Sequence, residues 1–164
     1  VSKRALHIYM KLIAATVLGM ISLYLLWSAE QTGKFIVKLA PDNPQVVELG
    51  KTIYDEQCAS CHGTDLEGEQ NWKQRKPNGR MPAPPHDASG HTWHHPEQTL
   101  FAVTKFGPAA MAGTGTYKSD MPAYEDILTD EEIVAVLSFI KNRWPAGIRQ
   151  RHDEMERRMS ESGE

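Results

Sequence analysis

The 164-residue sequence predicts an all-α fold, a small helical domain behind a single N-terminal membrane-spanning helix. Three observations carry this expectation. An almost wholly apolar run extends from Ile8 to Trp27, an amphipathic pattern opens at Asn43-Pro44, and a second apolar stretch, Ile133 to Ile140, follows the acidic start Thr129-Asp130-Glu131-Glu132. These features divide the chain into an anchor over residues 1–28, a linker over 29–43, a helical domain over 44–146 and a charged tail over 147–164.

Taken as a helix from Ala5 to Leu26, the first run spans about 33 Å at 1.5 Å per residue, enough for a bilayer. Lys3, Arg4 and Lys11 mark the cytoplasmic side, and Tyr24 and Trp27 suit the far interface. A cleaved signal peptide is the competing reading. Trp27-Ser28-Ala29-Glu30 is a poor cleavage site, so the expectation is an uncleaved anchor in a bacterial inner membrane, the bilayer itself a partner and the helical domain on the periplasmic side. The linker contains Lys34-Phe35-Ile36-Val37-Lys38-Leu39, which is too apolar for a free tether. It is expected to pack on its own domain, on the membrane surface or on a partner protein.

Asn43 before Pro44 is a helix-start signal, and Val46, Val47, Leu49, Ile53 and Tyr54 give the helix an apolar side. Gly50, Tyr54 and Cys58 recur every four residues on one face. A glycine there lowers helix stability, a cost justified where another helix crosses closely. The partner is the Ile133–Ile140 run, with Val136 and Phe139 expected at the crossing and Trp144-Pro145 ending the helix.

The first helix runs into Cys58-Ala59-Ser60-Cys61-His62, the C-x-x-C-H pattern of covalent c-type haem attachment. Residues i, i+3 and i+4 share one face of a helical turn, so two thiols and an imidazole can meet one flat macrocycle. A zinc site needs a second pair of ligands at matching spacing, and a thioredoxin-like pair needs a βαβ context. Neither explains a histidine directly after the second cysteine. The chain has two cysteines, both inside this motif, so the expected cofactor is one haem c, joined through Cys58 and Cys61 with His62 on the iron.

Together with the loop Ser119-Asp120-Met121-Pro122-Ala123-Tyr124 and the terminal helix Leu128 to Trp144, these residues resemble the class I cytochromes c over about Pro44 to Pro145. The resemblance implies the class I cytochrome c fold, with Met121 as the second axial ligand. Physically, a thioether ligand favours ferrous iron, and Pro122 biases Met121 towards an extended loop conformation. Met111, in an Ala/Gly-rich run expected to be a flexible loop, Met81, before Pro82, and a histidine, giving bis-histidine ligation, are the other candidates. Related cytochromes orient the iron-bound histidine with a proline carbonyl, a role open to Pro84 or Pro85. Arg80 and its basic neighbours, with Trp72 or Trp93, are candidates to hydrogen-bond the haem propionates. His91, His94 and His95 read better as surface or propionate-facing groups than as a second metal site.

The formal charge is +4 over residues 1–39, −6 over 40–144 and −1 over 145–164, so the haem-bearing part is acidic and suits basic protein faces; no nucleic acid is implied. The tail, rich in Arg and Glu, reads as a solvated helix or disorder, against a sharper reading in which Ile148, Met155 and Met159 dock it. An iron with both axial positions filled offers no substrate site. The expected function is therefore single-electron transfer and not catalysis, between a quinol-oxidising complex or dehydrogenase and a terminal oxidase or reductase. The alternatives are a fixed haem subunit of a larger membrane redox complex and, third, a haem sensor or peroxidase-like protein.

Overall fold

The computed structural model describes residues 10, 12–13, 16–24, 37–113 and 116–162, and the chain divides into two compact units, 1–36 and 37–164. In the first, residues 10, 12–13 and 16–24 are helical, with exposed side chains that include Met10, Leu12, Ile13, Leu18 and Leu23. No helix among the described residues is long and apolar enough to cross a membrane. This corrects two expectations: the N-terminal transmembrane helix, and the single-pass inner-membrane location with a periplasmic haem domain that was inferred from it. A bilayer span needs about 20 consecutive, predominantly apolar helical residues, and no described helix supplies them. Lys11 and the remainder of the expected span lie outside the described residues.

The second unit is all-helical among its described residues. Its elements are α1 (Pro44–Gln57), α2 (Ala59–His62), a 3₁₀ turn (Thr92–His94), α3 (Glu97–Phe106), α4 (Pro108–Met111), α5 (Asp130–Asn142) and α6 (Ala146–Ser162). Asn43 caps α1, its Oδ1 accepting from the N–H groups of Gln45 at 3.0 Å and Val46 at 3.3 Å, with Pro44 in the first turn where no N–H is needed. Thr129 and Glu132 close a reciprocal capping box on α5.

The core is the crossing of α1 and α5. A Cβ added at Gly50 would lie 2.0 Å from the carbonyl oxygen of Ala135 and 2.9 Å from Cβ of Phe139, so the two backbones meet where the glycine sits. Tyr54, one turn on, is fully buried with its ring 5.4 Å from that of Phe139. Phe139 is thus at the crossing as expected, but the Ala135 backbone is what Gly50 meets. Ile53, Ile133, Val136, Leu137 and Ile140 complete the cluster, joined by Val37 and Leu39. The described end of the apolar linker therefore packs on its own domain, and residues 29–36 lie outside the described ones.

The tail is ordered into α6 and one face of it is docked. His152 is fully buried with its ring 5.1 Å from Trp144, and Ile148 packs against the core. Lys141 Nζ donates to Glu97 Oε1 and to Asp153 Oδ1, each at 2.7 Å. The other Glu97 oxygen accepts from the Leu39 N–H at 2.8 Å, while the Glu97 N–H donates to Glu156 Oε1. Charges that read as a solvated helix are thus spent partly on pairs with α3 and α5.

Two outcomes follow from this packing. Gly50→Ala forces backbone against backbone and should lower unfolding free energy by about 3 kcal/mol, the upper range for overpacking, as read by chemical denaturation. The second concerns acid. Burial first, then the Lys141 charge, lowers the His152 pKa below its ordinary 6.5. The unfolded chain then binds more protons than the folded one as pH falls through about 6.5, so stability should decrease on acidification from that point. Denaturation at about pH 5.5 and 7.5 measures this slope, and His152→Gln should reduce it.

Candidate haem site

The end of α1 and the short α2 present the motif. Cys58 donates its N–H to Tyr54 O, and the N–H groups of Cys61 and His62 both donate to Cys58 O, at 3.1 and 2.9 Å. This single turn gathers the three side chains on one side. Both thiols are unpaired, with Cys58 half-buried and Cys61 exposed. Burial pushes the Cys58 thiol up to about 11, favouring an uncharged sulfur, which is what a thioether also is.

His62 is buried, and its Nδ1 lies 2.9 Å from Pro84 O. A carbonyl oxygen only accepts, so Nδ1 carries the proton and Nε2 keeps its lone pair for a metal. Burial also lowers the His62 pKa, favouring the neutral ring a ligand needs. Of the two candidate prolines, Pro84 makes this contact. Pro85 is fully buried instead, and its carbonyl receives the Thr92 hydroxyl at 3.4 Å.

Two supports of this arrangement escape sequence reasoning. Glu69 Oε2 accepts the N–H of Ala83 at 2.6 Å, and Lys76 Nζ holds both Glu69 oxygens, so the loop segment presenting Pro84 is pinned from outside. That backbone bond is also the main cause of a lowered Glu69 pKa. Gly68 lets the 66–68 turn pass close by: its φ is +69°, and a Cβ there would lie 2.5 Å from Pro85 N. His86 stacks on His62 with centroids 4.0 Å apart and planes 21° apart. Its Nδ1 lies 2.8 Å from the Thr92 hydroxyl, and its carbonyl accepts from Trp144 Nε1. Burial holds its pKa well below 6.5, so the ring beside His62 is neutral.

The loop carrying Met121 is sewn to the motif. Tyr124 OH donates to Gln57 O at 2.8 Å, one residue before Cys58, and the Tyr124 N–H reaches the carbonyls of Thr104 and Lys105 at the end of α3. Met121 is half-buried, with its N–H on Ser119 Oγ. Met111 ends α4, a short helix where a flexible loop was expected, and is exposed. Arg80 places Nη1 on Ser119 O and Asp120 Oδ1, both in this same loop. Trp93 Nε1 is buried with no hydrogen-bond partner among the described residues. His91 stacks on Trp72 and meets His95 edge-on, and no group of three His, Cys, Asp or Glu among the described residues could hold a metal ion.

Two available thiols, an imidazole with its outer nitrogen free, and an orphaned buried N–H fit a covalent haem. The Cytochrome c family model matches residues 47–144, more than half of the chain, and with the site above this makes the protein a member of that family, a class I c-type cytochrome whose cofactor is covalent haem c. Among curated proteins it is similar to the cbb3-type cytochrome c oxidase subunit FixP of Sinorhizobium medicae (strain WSM419) and to that of Rhizobium meliloti (strain 1021). Each is 42% identical over 43 residues, which is 25% of this chain and only 15% of the relative's length. No solved structure matches.

Thioether attachment through both cysteines predicts that haem stays with the chain through boiling in detergent. A Cys58→Ala/Cys61→Ala protein should lose essentially all haem stain from the denatured band, whereas either single variant should retain a fraction.

Proposed function

We propose that the protein is a one-electron carrier that receives electrons from a quinol-oxidising complex or a dehydrogenase and passes them to a terminal oxidase or reductase. Haem c, when bound, supplies an iron couple whose potential is set by axial ligands and burial. The carrying observation is the His62–Pro84 hydrogen bond, which leaves Nε2 as the ligand atom and fixes the ring plane. The Tyr124–Gln57 bond supports Met121 as the opposite ligand, since it holds that loop against the haem-attachment turn. If His62 and Met121 both hold the iron, no position would be left for a substrate, and the chain's task would be to keep those two side chains in place in either oxidation state. Trp93 Nε1 and the Arg80 nitrogens not engaged with the loop suit the propionates, which are costly to bury without donors.

A second reading makes the chain a haem-bearing subunit of a larger oxidase. It is favoured by its likeness to the two oxidase subunits, and limited by the small share of them that is matched.

The axial assignment is tested by substitution. Met121→Ala should abolish the methionine-ligated low-spin spectrum, lower the midpoint potential by on the order of 100 mV, since axial ligands range over far more than that, and make the ferrous protein bind carbon monoxide rapidly. Met111→Ala should leave all three unchanged. Rapid carbon monoxide binding by the unsubstituted protein would instead support the sensor or peroxidase-like class.

A further inference from the structure

Arg80 lies 39 residues before Ser119 and 40 before Asp120, yet one of its guanidinium nitrogens bonds both, the Ser119 carbonyl oxygen at 2.8 Å and the Asp120 carboxylate. The next residue is Met121, whose N–H is in turn fixed by the Ser119 hydroxyl at 3.0 Å. The guanidinium projects from a firm base. Arg75 Nη1 donates to Gly79 O, the Lys76 N–H to Arg80 O, and the Arg80 N–H to Asn78 Oδ1, so the 75–80 turn is closed on itself. The same turn carries Lys76, which grips Glu69, and Glu69 takes the N–H of Ala83 beside Pro84. One segment therefore reaches the support of His62 on one side and the Met121 loop on the other.

We propose that Arg80 is a positioning residue that keeps the Met121 loop closed over the iron, and that the 69–84 segment ties the supports of both axial ligands into one frame. The inference rests on the reading of Met121 as the second ligand. A partly exposed ion pair alone contributes little. Arg80 gains from bonding a backbone carbonyl as well, so its grip holds the chain itself and not only a mobile carboxylate. Both bonds come from one nitrogen, Nη1, so a lysine ammonium, with three donors on a shorter stem, keeps the charge and part of the pairing but not the reach.

The test uses the haem-loaded protein and reads the rate of carbon monoxide binding to the ferrous form, which is limited by departure of the methionine, together with the methionine–iron charge-transfer band of the ferric form. Arg80→Ala should speed carbon monoxide binding by about five- to tenfold, a charged hydrogen bond discounted for exposure, and weaken the band. Arg80→Lys should recover part of both. Asp120→Ala should give a smaller acceleration, about twofold, and the double variant no more than Arg80→Ala alone, because the two act through one contact. Denaturation of each variant separates loop release from loss of fold.

An Arg80→Ala protein with an unchanged carbon monoxide rate, in a background where Met121→Ala accelerates it, overturns the proposal. A shifted potential with an unchanged rate does the same, and returns Arg80 to a propionate. Should Met121→Ala itself change nothing, the ligand assignment fails, and the clamp with it.

Discussion

Gly50 allows α1 and α5 to approach until the backbone of one meets the other, and the haem-attachment turn inherits its position from that crossing. A Cβ at this point would fall 2.0 Å from Ala135 O, a distance no repacking of a flexible side chain could relieve. One turn further along α1, Tyr54 is sealed against Phe139 and sends its hydroxyl to Gly63 O at 2.8 Å, just beyond His62. One turn further again is Cys58. The helix crossing, the closure of the turn and the first attachment point thus lie on one stripe of one helix, and a displacement at Gly50 would be transmitted along it to the haem motif.

The second anchor is polar. Lys141 and Glu97 are almost fully buried, and burying two charges costs more than their attraction returns unless every remaining valence finds a partner. Here they do. Glu97 takes the linker backbone at Leu39 as well as Lys141, and Lys141 also takes Asp153 of α6. The arrangement exchanges stability for definition: it fixes where the entering chain, α3, α5 and the tail helix meet. Hydrophobic contact alone would do this less well, because α6 has few apolar residues to bring. His152 fits the same account. Its Nε2 bonds His95 O while Nδ1 is buried without a partner among the described residues, so the helix is held by a neutral ring.

Much of the domain was legible because its signals are local. Asn43-Pro44, the Thr129–Glu132 box, the four-residue spacing of Gly50, Tyr54 and Cys58, and C-x-x-C-H each fall within one or two helical turns, where periodicity and propensity act. What was misread depends on partners far away in sequence. The tail was judged by composition, which counts charges but cannot see that Asp153 and Glu156 have mates 12 and 59 residues earlier. Nothing in the neighbourhood of His86 says that its ring will lie on that of His62, 24 residues back. Glu69 was passed over because a lone glutamate in a loop has no pattern. The apolar run near the N-terminus failed differently. Hydropathy alone reads any long apolar stretch as a span, whereas crossing a bilayer also requires an unbroken helix of sufficient length, and none is found among the described residues.

The two sides of the site differ in kind. His62 belongs to the covalent turn itself, and its ring is further held by the Pro84 carbonyl and the His86 face. Met121 sits on a loop secured at a distance, by Tyr124 on Gln57, by the Tyr124 N–H on α3, and by Arg80 on Ser119 and Asp120, all non-covalent. The Arg80–Asp120 pair is partly exposed to solvent, so its strength is open to screening, whereas the Pro84 contact involves no net charge on either side. With Met121 as the proposed second ligand, ionic strength should loosen its loop while the His62–Pro84 contact stays fixed. On that proposal, any lability of the site is built into the face on which Met121 is held.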